Sequence, residues 1–167
     1  LDSAGTLLPV VWSDKTRAEV LAFIGGRLEV VLRDAGYYMS VVKAVLAEQT
    51  HDPYGATRAA AGLFTAIQSP DWETLLNAYA RCVRITRPLK ETYALRPSDL
   101  RLPEEQALAA ALTEAEAAKD EAVEMFVASL RALEPAITRL FDAVLIMDDD
   151  AAVRENRLAL LQRVAGL

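Results

Sequence analysis

The chain has 167 residues, 53% of them hydrophobic and 25% charged, and a formal net charge of −6. That length suits one domain with its own core, and the apolar fraction argues against disorder. The acidic balance argues against general nucleic-acid binding. A single cysteine allows no internal disulfide, and one histidine beside it leaves most zinc sites without ligands.

Much of the hydrophobic fraction is alanine, as in "ALAAALTEAEAAK", and alanine, leucine, glutamate and arginine are strong helix formers, so the expectation is an all-α chain. No apolar run approaches the roughly 20 residues that span a bilayer. No signal-peptide pattern stands at the start, and the lone Cys82 suits a reducing cytoplasm. The first residue is Leu1, which reads as a piece of a longer protein. Residues 1–13 read as a lead-in segment and 14–167 as one helical domain.

The first helix is expected to start near Asp14, with Thr16 and Glu19 as a capping box. Val20, Leu21, Ile24, Leu28, Val31, Leu32 and Ala35 follow at helical spacing, and Gly36 is the stop. Gly25-Gly26 sits inside this pattern at about 1 kcal/mol per glycine relative to alanine, which suggests a close helix contact. A short helix, Met39 to Glu48, turns Val42, Val45 and Leu46 inward. "HDPYG" breaks it, Asp52 caps the next helix and Pro53 opens it, with an end near Ile67. "SPDWE" repeats the signal, with Ser69 as cap, Pro70 first, and Leu75, Leu76, Tyr79, Cys82 and Val83 as the apolar stripe.

"RPLKETYALRPSDLRLP" lacks clean periodicity and reads as a loop with one short turn, because Pro88, Pro97 and Pro103 interrupt it. Helices resume at Pro103 to about Lys119, restart near Asp120, restart again at Pro135, and end with Asp150 to Val164. The expected architecture is an antiparallel bundle of about seven or eight helices.

Few residues offer chemistry. Asp148-Asp149-Asp150 could ligate magnesium, or cap the last helix and complement its dipole; nothing else points to the metal, so the cap is the preferred reading. His51 beside a turn and Cys82 on an apolar stripe lack the partners of a base or nucleophile. No glycine-rich phosphate loop is present. Glu104, Glu105, Glu114, Glu116, Asp120, Glu121 and Glu124 read as a solvated face. No catalytic residue and no metal site is therefore assigned.

One segment departs from the acidic whole. Between residues 81 and 101, Arg81, Arg84, Arg87, Lys90, Arg96 and Arg101 face only Glu91 and Asp99, a net +4 that leaves −10 for the remainder. Arg81 and Arg84 share a helix face, and Arg84 and Arg87 at the helix end also complement its dipole. The other reading is contact with phosphates or guanine edges, which arginine forks match, with Tyr93 stacking on an unpaired base.

"FDAVLIMDDDAAVRENRLALL" resembles the C-terminal end of bacterial glycyl-tRNA synthetase beta chains. The pattern F-D-x-V-x-x-M-x-x-D…R-x-N-R-L-x-x-L is met by Phe141, Asp142, Val144, Met147, Asp150, Arg154, Asn156, Arg157, Leu158 and Leu161. "ARCVRI" is similar to the family's K-R-V-x-N-I helix at Arg81 and Ile85, with Ala80, Cys82 and Arg84 as departures. "FIGGRLEVVLRDAG" and "LPEEQALAAAL" fall in the expected order, so the resemblance runs from about Phe23 to the end.

The resemblance implies an all-helical, DALR-like anticodon-binding domain. It implies tRNA(Gly) as partner, with the remainder of the synthetase (an alpha chain, or an alpha region in a fused form). It implies no cofactor in this piece, with ATP and Mg acting in the parent enzyme. Phe141, Val144 and Leu145 are expected to pack inward. The expected RNA-binding set is Arg81, Arg84, Arg87, Lys90, Tyr93, Arg96, Arg101 and Arg157, with pairing to acids as the other reading of Arg154 and Arg157. The rival expectation is a helical protein-interaction module of the synthetase.

Overall fold

The computed structural model describes residues 13–118 and 122–167. Most of the lead-in and the helix restart expected at Asp120 lie outside them, as do Asp120 and Glu121 of the acidic face. Among the described residues there are seven α-helices and no strand. They are α1 (Asp14–Asp34), α2 (Met39–Gln49), α3 (Pro53–Ala66), α4 (Trp72–Thr86), α5 (Pro103–Ala117), α6 (Val123–Ala143) and α7 (Ala151–Ala165), with a 3-10 turn at Pro97–Asp99. None is long and apolar enough to cross a membrane. Within the span read as one helical domain, the chain divides into two compact units, 1–65 and 66–167.

In the first unit, the start of α1 is set by Ser13, whose side chain accepts the Thr16 N–H at 3.1 Å. The Thr16–Glu19 box is thus corrected: Thr16 lies inside the helix, because Ser13 meets the same free amides three residues earlier. Leu28 and Leu32 turn inward, and α1 packs on α2 through Val41, Val42 and Val45. Gly36 takes φ 91°, the left-handed conformation that ends a helix without a side-chain penalty. The glycine pair has two different roles. A Cβ on Gly25 would stand 2.6 Å from the Thr50 methyl, whereas one on Gly26 would meet nothing within 4 Å. Tyr37 and Tyr38 close the unit against Phe64, with ring centroids 5.4 and 5.1 Å apart.

The second unit is built around α7. Six successive residues, Asn156 to Leu161, are all buried. A helix buried on every side has neighbours on every side: α4 and α5 pack on α7, and α6 packs on both of these. Leu108, Leu112, Leu133, Ile137, Leu140, Leu158, Leu160 and Leu161 form the core.

Two helix boundaries and one inward-facing residue differ from expectation. In "SPDWE", Pro70 and Asp71 precede the helix, which begins at Trp72. Ser69 closes a turn back to the Ala66 carbonyl and donates to the Asp71 carboxylate, which also receives Arg131 of α6 at 2.6 Å. These bonds hold the Asp71 carboxyl well below its usual range. Pro135 does not restart a helix. It lies exposed within α6, where water can take the carbonyl it orphans, while Leu133, Ala136 and Ile137 beside it are buried and keep the helix continuous. Leu145 is 71% exposed and Ile146 is buried in its place, since the extended segment after α6 alternates its faces.

Glu105 is the largest departure, because it belongs to no solvated face. Its side chain is 4% exposed and that of Arg157 is 9%, with Arg157 Nε 2.6 Å from Glu105 Oε1. The other carboxylate oxygen accepts the amides of Arg101 and Leu102 at 2.9 and 3.0 Å, which caps α5. Arg157 Nη1 donates to the Leu145 carbonyl at 2.9 Å and to Asp148 at 2.7 Å. One guanidinium thus joins α7, the start of α5 and the segment after α6. Of the two readings of Arg157, the structure shows pairing with acids, and its place in the RNA-facing set is corrected because the side chain is buried.

Two predictions follow from these contacts. Gly26→Ala should stabilise the chain by about 1 kcal/mol, the helix-propensity difference. Gly25→Ala should show no such gain unless combined with Thr50→Ser, which removes the opposing methyl. Denaturant unfolding of the three variants measures both effects.

The second concerns acid. Burial pushes the Glu105 carboxyl up, but the Leu102 amide, Arg157 and the Arg101 amide together hold it below its ordinary value of 4.5. Such a group stabilises the fold at pH above its unfolded value, and that contribution disappears as pH falls through 4.5 toward the folded value. Asp148, held low by the Asp150 amide and then by Arg157, acts in the same direction. Unfolding free energy should therefore drop below that pH in the native chain. Glu105→Gln should lose roughly 3–5 kcal/mol at neutral pH, as when a buried pair loses one partner, and its stability should depend less on acid.

Candidate nucleic-acid interface

Helix α4 buries Leu75, Ala78, Cys82 and Thr86 and turns its other side outward. At 100° per residue, Arg81, Arg84 and Arg87 fall on that outer side, and all three are exposed. The Arg81 guanidinium lies over the Phe141 ring of α6, 4.2 Å from its centroid, which positions the base while leaving its edge to solvent. Arg84 Nε donates to the Ala80 carbonyl at 3.2 Å. Arg87, Lys90 and Arg101 are exposed, and their side chains make no hydrogen bond or ion pair with any described residue.

Arg96 is committed elsewhere. It donates to Asp99 at 2.9 Å and to the Ala152 carbonyl at 3.0 Å. Tyr93 is half-buried, with its ring packed against the core cluster, so the stacking surface expected there is partly used by the protein itself. The structure thus brings together Arg81, Arg84 and Arg87 on one helix face. Lys90 follows on the next stretch of chain, and Arg157 is excluded from the set.

The loop after α4 has no strand or helix partner, yet it is held along α7 by two carboxamides. Gln162 accepts the Tyr93 amide at 2.9 Å and donates to the Glu91 carbonyl at 2.7 Å. Asn156 accepts the Arg96 amide at 2.7 Å and donates to the Arg96 carbonyl at 3.0 Å. Sequence reading missed both roles. Asn156 stood in the quoted motif and Gln162 carried no signal, because a carboxamide on a helix does not reveal which distant backbone it will meet. Near the far end of the loop lies an open cleft of about 270 Å³, lined by Arg96, Arg101, Asp150 and Arg157 among others. Of these four, only the Arg101 side chain has no hydrogen bond or ion pair with a described residue.

The acids before α7 serve the fold. Asp150 caps the helix by accepting the amides of Ala152 and Val153 at 2.8 and 3.4 Å. Asp148 accepts the Asp150 amide at 3.0 Å and pairs with Arg157. Among the described residues no group of His, Cys, Asp or Glu is arranged to hold a metal ion. Cys82 is fully buried; burial pushes its thiol up to about 12, which outweighs the opposite pull of Arg81. Such a thiol is a packing group. His51 is exposed at its turn.

The profile of the DALR anticodon binding domain matches residues 75–167. The chain is similar to the glycine–tRNA ligase beta subunit of Anaeromyxobacter dehalogenans (strain 2CP-C), at 37% identity over 156 residues, or 89% of this chain and 22% of the relative. It is 32% identical over 159 residues to that of Moorella thermoacetica, covering 92% of this chain and 23% of the relative. It is 34% identical over 164 residues to that of Desulfatibacillum aliphaticivorans, with the same coverage of 92% and 23%. The chain thus spans less than a quarter of the length of these curated relatives. The matched residues hold α4 to α7 with the basic helix face, the clamped loop and the buried arginine, and the chain belongs to the DALR anticodon binding domain family.

Proposed function

We propose that this chain binds the anticodon region of tRNA(Gly) as part of a glycine–tRNA ligase, positioning the tRNA for glycylation carried out elsewhere in the enzyme. The observation that carries this reading is the outward face of α4, where Arg81, Arg84 and Arg87 stand exposed within the matched domain. An acidic chain with one basic face repels polyanions in general and admits one that docks there. The relatives named above, all glycine–tRNA ligase beta subunits, support the choice of tRNA. The proposed setting is the cytoplasm, with the alpha chain or region of the same enzyme as protein partner. ATP and Mg act in that enzyme beyond this chain, which supplies binding contacts and no catalytic group.

The second reading is assembly without base reading. Phe23 and Tyr54, in the first unit and outside residues 75–167, are 70% and 74% exposed. Large exposed apolar groups suit a protein contact. Sedimentation of the chain with a glycine–tRNA ligase alpha chain tests it, and no association would count against it.

Binding to a glycine tRNA transcript, and to one with both anticodon cytosines changed, at two salt concentrations tests the first reading. The expected outcome is weaker binding to the altered transcript and a steep salt dependence. Arg81→Ala with Arg84→Ala should weaken binding to both transcripts and reduce the slope of log K against log salt by roughly 0.7–0.9 per lost phosphate contact. Equal affinity for both transcripts would remove base reading, and an unchanged slope would remove the α4 face.

A further inference from the structure

The connection from α4 to α5 carries Lys90, Arg96 and Arg101, and apart from the 3-10 turn at Pro97–Asp99 it lies between helices without a ladder of its own. A backbone so placed must find hydrogen-bond partners or stay mobile. Here the partners are the ends of two side chains of α7. A carboxamide carries an acceptor oxygen and a donor nitrogen, as a peptide group does. Gln162 uses both on Glu91 and Tyr93, and Asn156 uses both on Arg96. Asn156 is 3% exposed, so these bonds are shielded from water and stronger for it. Arg96 adds a third tie, to the Ala152 carbonyl. Further tethers follow, since Gln106 donates to the Leu100 carbonyl at 2.8 Å and Glu105 holds the Arg101 and Leu102 amides.

We infer that Asn156 and Gln162 are positioning residues for RNA recognition, acting as peptide mimics that hold the Glu91–Arg96 backbone in the conformation a bound anticodon loop requires. Neither side chain need touch RNA. Their effect is to order the loop before binding, so that its ordering is not charged against affinity when the complex forms. The inference rests on the tRNA reading above.

The test uses the full chain with Gln162→Met, which keeps the stem and removes both polar ends, and Asn156→Ala. Three quantities are read: amide exchange at Tyr93 and Arg96, the melting curve, and affinity for the glycine tRNA and its anticodon-changed transcript. The expected result for Gln162→Met is faster exchange at Tyr93, an intact cooperative melt, and roughly tenfold weaker binding to the glycine tRNA, as when the competent loop conformation falls to about a tenth of the population. Discrimination between the transcripts should narrow as well, which a purely structural role would not produce in a chain that still melts normally. Asn156→Ala should do the same at Arg96; should it fail to fold, Gln162→Met alone decides. Loss of protection with unchanged affinity and discrimination would overturn the inference and leave the tRNA reading standing. Unchanged protection would also overturn it, by showing that the clamp does not hold the loop. A native chain that binds neither transcript would remove the tRNA reading, and this inference with it.

Discussion

The second unit depends on one buried charge. Arg157 lies in the middle of a helix enclosed on every side, where an isolated guanidinium would be costly to desolvate. It is tolerated because three groups from two chain segments meet it: Glu105 from the start of α5, and the Leu145 carbonyl and Asp148 from the connection into α7. Each of these groups is anchored in turn. Glu105 accepts two loop amides and Asp148 accepts the amide of Asp150, the residue that caps α7. A hydrophobic core specifies that helices pack; a charged network of this kind specifies which turn of one helix meets which turn of another. A second pair, Arg163 with Glu116 near the C-terminal ends of α7 and α5, joins the same two helices along their length.

Order at the candidate interface comes from the same helix. α7 reaches outward with Asn156 and Gln162 to a loop whose regular structure is one 3-10 turn, and through Arg157 it fixes where that loop enters α5. The basic helix α4 is held by both α7 and α6. Tyr79 donates to the Ala165 carbonyl at 3.0 Å, Asp71 pairs with Arg131 of α6, and Arg81 rests on Phe141. The exposed arginines are therefore mounted on a rigid element, and the loop beside them is mounted on the central helix. That arrangement suits recognition of a single-stranded nucleic-acid loop, which must be met by groups already in place.

Modest charge is consistent with the proposed role. A net +4 window within a −6 chain supplies a handful of phosphate contacts, enough to orient a tRNA but few for tight binding alone. Where binding is shared among several domains of one enzyme, effective concentration makes up the difference, and a weak, selective module serves better than a strong, indiscriminate one.

Much of this protein was legible in the residues. Helix-forming composition and period fixed the all-α class. Proline and glycine marked most turns, and Asp150 announced the last helix, because caps and breakers act within a few residues of where they stand. Cys82 showed itself as a packing group through the apolar stripe around it. The family motif by itself pointed to an anticodon-binding domain. Legibility failed where the deciding partner was distant in sequence. Glu105 looked like one more acid of a solvated face and Arg157 like one more base for RNA; each is buried because of the other, 52 residues away. Pro135 looked like a break, and burial on either side of it carried the helix through. Asn156 and Gln162 gave no sign of the backbone they hold. Local chemistry determined the elements and their ends; which charges were buried and which stayed free for a ligand was decided by tertiary packing, since desolvation depends on what surrounds a group and not on its neighbours along the chain.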